Sequence, residues 1–124
     1  MQTPAKTISP VYWSEINLVI IGVAISINGV PIRLTAERWE HITVGHPELK
    51  DLYESVINAI STPESIRLGN NNEYLALKKA NDNKYIVVVY RETNKKDGFV
   101  ITAFLTKRIK QIQRRPQVWP KLQN

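Results

Sequence analysis

Cysteine is absent from this chain of 124 residues, which excludes a disulfide framework, a thiolate metal site and a cysteine nucleophile and leaves the redox compartment open. Histidine is scarce: His41 and His46 are the only two. A structural zinc site would need both of them plus carboxylates, so chemistry without metal or cofactor is the expectation. Hydrophobic runs long enough to span a bilayer are missing as well. The longest candidate, "INLVIIGVAISI" at 16–27, has twelve residues, too few to cross. Lys6 lies upstream of it, and Ala24 and Ser26 are spaced like a signal-peptidase site. Glu15 and Asn17 stand where a basic lead-in belongs, however, and the run is rich in β-branched residues, so it reads as a strand. The expectation is a cytoplasmic protein with no membrane partner.

Acidic residues are missing from one segment only. Of the 17 basic and 11 acidic side chains, residues 107–124 hold six basic ones (Lys107, Arg108, Lys110, Arg114, Arg115, Lys121) and no acidic one, so the preceding residues are balanced at 11 of each. The whole excess of +6 sits in that strip, as in a segment that contacts a polyanion; a solvated tail that aids solubility is the alternative.

An apolar fraction of 43% and a charged fraction of 23% belong to a folded globular chain, and the length suits one domain. A loose segment is expected over 1–15, a single domain over 16–119 and a tail over 120–124. The run from Val11 to Leu34 reads as β, with strands near 18–27 and 30–34 about Asn28-Gly29, a pair suited to the two positive φ values of a type I′ turn. Thr35 is a candidate N-cap, with Glu37 in the first turn of a short helix that Gly45 ends.

His46-Pro47 opens a second helix, because proline is tolerated at the first helical position. Leu49, Leu52, Tyr53, Val56, Ile57 and Ile60 form its apolar stripe, and Ser61-Thr62-Pro63 stops it. The remainder reads as a four-stranded antiparallel meander: a strand at 65–69, "EYLALKK", "KYIVVVYRE" and "FVITAFLTKR". "YIVVVY" is apolar on both faces and so should be central. The fold class is α+β, with the helices packed on one face of the sheet.

Pairing Lys78 with Ile86 and Val88 with Thr102 divides the side chains between two faces. One face, with Leu75, Leu77, Tyr85, Val87, Val89, Ile101, Ala103 and Leu105, is aliphatic and should lie under the helices. The other then gathers Tyr74, Lys78, Tyr90, Thr102 and Thr106 with Ile86, Val88, Val100 and Phe104. Its cations, hydroxyls and rings suit a phosphate and a base, or are the decoration of a solvated face. His41, beside Trp39 and Ile42, is either a core-rim residue bonded to Glu37 or a chemical group. His46 stands at an N-cap, a position imidazole does not favour.

"ERWEHITVGHPEL", the helix ending "STPESI", "YIVVVYRE", "VITAFLTKRIK" and the late Trp119 together resemble the phage-type branch of the barnase, EndoU, colicin and RelE-like nuclease superfamily, over about Val30 to Trp119. That resemblance implies helices before a four-stranded antiparallel sheet and a metal-independent endoribonuclease, of toxin type or phage-derived. Its substrate would be RNA and its partner a cognate antitoxin or immunity protein. It implies a catalytic set of His41, His46, Lys78, Arg91 and Thr102. One histidine would take the 2′-OH proton and the other serve as acid or phosphate ligand, with Lys78 and Arg91 on the phosphorane charge and Thr102 orienting the phosphate. Tyr74 and Tyr90 would stack bases, and Thr106, Lys107, Arg108, Arg114 and Arg115 would hold the backbone.

Two features depart from the family's pattern. Gly45 stands where relatives often carry a basic residue, and "KQIQRRPQ" replaces a shorter, glycine-containing link, moving a phosphate contact towards Arg114-Arg115. A non-catalytic RNA-binding or protein-interaction module on the same fold is the alternative. It predicts salt-sensitive binding that is indifferent to histidine loss.

Overall fold

The computed structural model describes residues 19–81 and 83–122. The loose segment expected over 1–15 and the β reading of 11–18 lie outside the described residues, as do the last two residues of the expected tail. In chain order the elements are β1 (Ile20–Ile25), β2 (Pro31–Thr35), α1 (Ala36–Gly45), a 3-10 turn (Pro47–Leu49), α2 (Tyr53–Ser61), β3 (Ser65–Leu68), β4 (Tyr74–Asn81), β5 (Lys84–Asn94), β6 (Asp97–Thr106), α3 (Lys110–Gln113) and β7 (Gln117–Trp119). The class is α+β, with one mixed, mostly antiparallel sheet of seven strands in the order β1-β2-β6-β5-β4-β3-β7. No described helix is long and apolar enough to cross a membrane.

The expected meander forms β3 to β6, with "YIVVVY" in the central strand β5. Two additions widen it from four strands to seven. The β1–β2 hairpin joins through parallel pairing of β2 with β6 at Ile32↔Gly98 and Arg33↔Phe99, and β7 pairs with β3 at the far side. Both are contacts between distant parts of the chain, which leave no local periodicity to read.

The hairpin turn differs from the two-residue type I′ form. Ser26 N donates to Val30 O at 2.9 Å and Gly29 N donates to Ser26 O at 2.9 Å, and Gly29 alone is left-handed, at φ 80°. This is a three-residue loop that closes on a glycine bulge, so Asn28 needs no positive φ. Asn28 instead donates its side-chain amide to both Glu92 carboxylate oxygens, at 3.1 and 3.2 Å. Ser26 Oγ donates to the same carboxylate at 2.7 Å, so the loop is tied to β5.

Thr35 caps α1: its Oγ1 accepts from Arg38 N at 3.1 Å. Gly45 is the helix's last residue. The second helix begins later than its apolar stripe suggests. Pro47 starts only a 3-10 turn, and Leu52, at φ −115° and ψ 29°, leaves helical geometry before α2 begins at Tyr53. The stripe still faces inward, with Leu49, Val56 and Ile60 fully buried.

The helices cover the face that carries Ala76, Ile86, Val88, Tyr90, Val100 and Ala103, which reverses the expected faces of β4 and β5 but keeps Ala103 and Leu105 under the helices as expected. Lys78 does pair with Ile86 and Tyr74 with Tyr90, but Val88 pairs with Ala103 and Val89 with Thr102. A bulge between Val89 and Tyr90 leaves Ile101 unpaired; it shifts the register by one residue and moves each side chain of β6 beyond it to the other face. Gly98 sits where β2, β6 and β5 meet, and a Cβ there would press on Arg91 O and Ile32 Cδ1.

Candidate functional site

The face turned away from α1 and α2, called the open face below, is set by the same register. Along β6 it presents Phe99, Thr102, Phe104 and Thr106; along β5, Tyr85, Val87, Val89 and Arg91; along β4, Leu75 and Leu77. The basic C-terminal strip is part of the fold and crosses this face. Ile109 and Ile112 pack on the small core of Leu75, Leu77 and Val87, and the strip ends in β7 against β3. Arg67 clasps it by donating from Nη1 to Gln113 O at 2.7 Å and to Arg115 O at 3.2 Å. Alternating Ile109 and Ile112 inward leaves Lys107, Arg108 and Lys110 exposed around a cavity of about 380 Å³ at the β6 end.

His46 reaches this face around an edge. β2 leaves β6 unpaired beyond Phe99, and α1 and the 3-10 turn pack along the vacated edge. The His46 ring centre lies 6.0 Å from that of Phe104, and its Nδ1 lies 3.6 Å from Glu48 Oε2. His41, in contrast, faces solvent on the outside of α1. Its side chain is 66% exposed, with Nε2 4.0 Å from Glu37 Oε2.

The structure therefore divides the expected catalytic set. Arg91 and Thr102 share the open face and His46 borders it, whereas Lys78 belongs to the helical face, where its Nζ donates to Thr62 Oγ1 at 2.6 Å beyond the end of α2. The one-residue register shift accounts for the separation of Lys78 from Thr102. Tyr74 and Tyr90 also belong to the helical face. Their rings are 5.5 Å apart, Tyr90 is fully buried, and burial, followed by the charge of Glu92, pushes both phenols upward. The Tyr90 ring is enclosed and cannot stack a base, whereas Tyr74 is partly exposed beside it. Thr106 lies on the open face and accepts from Arg108 N at 2.9 Å. Arg114 is exposed, and Arg115 donates to Asn70 Oδ1 at 2.9 Å.

Several open-face residues escape the sequence reading. Arg33 and Arg91 each pair directly with Phe99, from the two strands that flank β6. Asp97 accepts from Arg33 Nε at 2.8 Å and Nη2 at 2.9 Å. This hydrogen bonding raises the guanidinium pKa and lowers that of the carboxyl. Glu73 lies near Arg91 and Arg115 at the start of β4; backbone N–H donors, its own and that of Asn71, lead in holding its carboxyl below the usual range, and the two arginine charges add to the effect. The alternation of β2 and β6 could have signalled Arg33 and Phe99 only if their parallel pairing had been known.

Among the described residues no group of three histidine, aspartate or glutamate side chains could hold a metal ion. No protein-family model, curated protein or solved structure matches the chain.

Proposed function

We propose that this chain is a metal-independent endoribonuclease that works on single-stranded RNA laid along β6. One observation carries the reading: Phe99, Thr102, Phe104 and Thr106 run in one line on the open face, with Arg91 opposite Phe99 at one end, Lys107, Arg108 and Lys110 at the other and His46 beside Phe104 between them. From Phe99 to Thr106 the strand spans roughly 23 Å, enough for several nucleotides. Cations at both ends suit a backbone of phosphates, and the partly exposed rings of Phe99 and Phe104 suit bases.

In this reading His46 takes the proton from a ribose 2′-OH. The 2′ oxygen attacks the adjacent phosphorus, the bond to the 5′ oxygen breaks, and that oxygen takes a proton from water. Thr102 orients the scissile phosphate, and Arg91, at the Phe99 end of β6, holds a neighbouring phosphate of the same strand. The products are a 2′,3′-cyclic phosphate and a 5′-hydroxyl. The test is incubation of the protein with tRNA, rRNA and single-stranded DNA in EDTA, followed by mapping of the product ends. Those two ends on RNA, with DNA left intact, are the expected result. Ends bearing a 5′-phosphate, or no cleavage of any RNA, would overturn it; salt-sensitive binding without cleavage would assign the fold to an RNA-binding module.

A further inference from the structure

The parallel β2–β6 pair and the antiparallel β5–β6 pair place Arg33 and Arg91 on either side of Phe99, all on the open face. The Arg33 guanidinium carbon lies 5.9 Å from the centre of the Phe99 ring. Asp97 takes Nε and Nη2 of Arg33 and so fixes the plane of that group. Arg91 donates from Nη1 to Asn71 O at 2.8 Å, which anchors its head over the 70–73 loop. Among the described residues no hydrogen-bond partner takes Nη1 of Arg33 or the other N–H groups of Arg91. One oriented cation therefore lies beside a partly exposed ring, and a second, based on the strand opposite it, reaches over the 70–73 loop. Aromatic rings with guanidinium planes beside them stack bases without regard to sequence, and the remaining N–H groups suit phosphate oxygens.

We propose that Arg33, Phe99 and Arg91 form a nucleotide subsite for single-stranded RNA, with one base on Phe99 and the phosphates on its two sides held by Arg33 and Arg91. The subsite deepens the reading of the open face as an RNA surface and rests on it. It lies some residues away from His46 along β6 and serves to hold the strand, so Phe99 is a positioning residue and not a catalytic one. Glu73, near Arg91, is the internal anion that an incoming phosphate would face.

The test is fluorescence-anisotropy titration of the full chain with a labelled 2′-O-methyl oligouridylate of about 12 nucleotides, which lacks the attacking hydroxyl and cannot be cut by the proposed route. Phe99→Leu, which keeps apolar volume but removes the ring, is expected to weaken binding roughly 5- to 150-fold, whereas Phe99→Trp retains it. Arg91→Gln is expected to reduce the slope of log affinity against log salt by about 0.7, the loss of one phosphate contact on a single strand. Wild-type affinity in both Phe99→Leu and Arg91→Gln would overturn the subsite. So would equal losses in the leucine and tryptophan variants, which would assign Phe99 to packing. If the wild type binds this strand through Phe99 yet leaves ordinary RNA intact, the subsite stands and the nuclease reading falls; if it binds no strand, both fall.

Discussion

On the helical side of the sheet Ala76, Ile86, Val88, Tyr90, Val100 and Ala103 are buried under α1 and α2, and Lys78 is engaged with Thr62. On the open side the same central strands carry Arg91, Thr102 and Phe104, with a core of Leu75, Leu77 and Val87 beneath a strip bearing exposed cations. The first face maintains the fold through apolar area removed from water. The second keeps its cations and hydroxyls at the surface, where a charged ligand can reach them without a large desolvation cost. Comparing the two faces teaches where polar side chains remain at the surface, and it explains why Tyr90, fully buried on the helical face, is a poor candidate.

The comparison can be broken at several strengths. Ile60, fully buried on α2, supports the helical face, and Ile60→Ala should cost about 2–5 kcal/mol in chemical denaturation. Gly98→Ala, which crowds Arg91 O and Ile32 where the hairpin joins the meander, should cost about 1–3 kcal/mol. It should also loosen the hairpin first in hydrogen exchange. Ile112 is only partly buried under the strip, so Ile112→Ala should cost about 1 kcal/mol and raise exchange in β7 while leaving α2 protected.

The smallest effect is with pH and sharpens the contrast from the other side. Asp97 and Glu73 are held below the ordinary carboxylate values, Asp97 first by its hydrogen bonds with Arg33 and Glu73 first by backbone donors. Their contributions are therefore complete above the unfolded-state pKa and fade as pH falls through the lowered folded-state values, below about pH 4. Melting temperature followed into that range should fall less steeply in Asp97→Asn and Glu73→Gln than in the wild type.

Much of this was legible in the chain. The Thr35 cap, the end of α1 at Gly45, the inward stripe from Leu49 to Ile60 and the central place of "YIVVVY" follow from local chemistry that tertiary contacts did not override. The pairing of Lys78 with Ile86 also follows from pattern. The assignment of faces did not, because β5 is apolar on both sides and alternation cannot say which side the helices choose. The bulge at Ile101 then reversed the β6 residues beyond it. Of the expected catalytic residues, His46, Arg91 and Thr102 stay near one face, while Lys78 and His41 do not join them. The Arg33–Phe99–Arg91 row depended on a parallel pairing between residues far apart in sequence, which no local motif marks.

The central claim is that chemistry belongs to the open face at the His46 edge of β6. Its most direct test is the cleavage rate of single-stranded RNA in EDTA by His46→Ala beside Lys78→Ala, each shown to be folded. A loss of about 100-fold or more in the histidine variant, with the lysine variant cleaving at the wild-type rate, is the predicted result. Full activity in His46→Ala, or a comparable loss in Lys78→Ala, would contradict it.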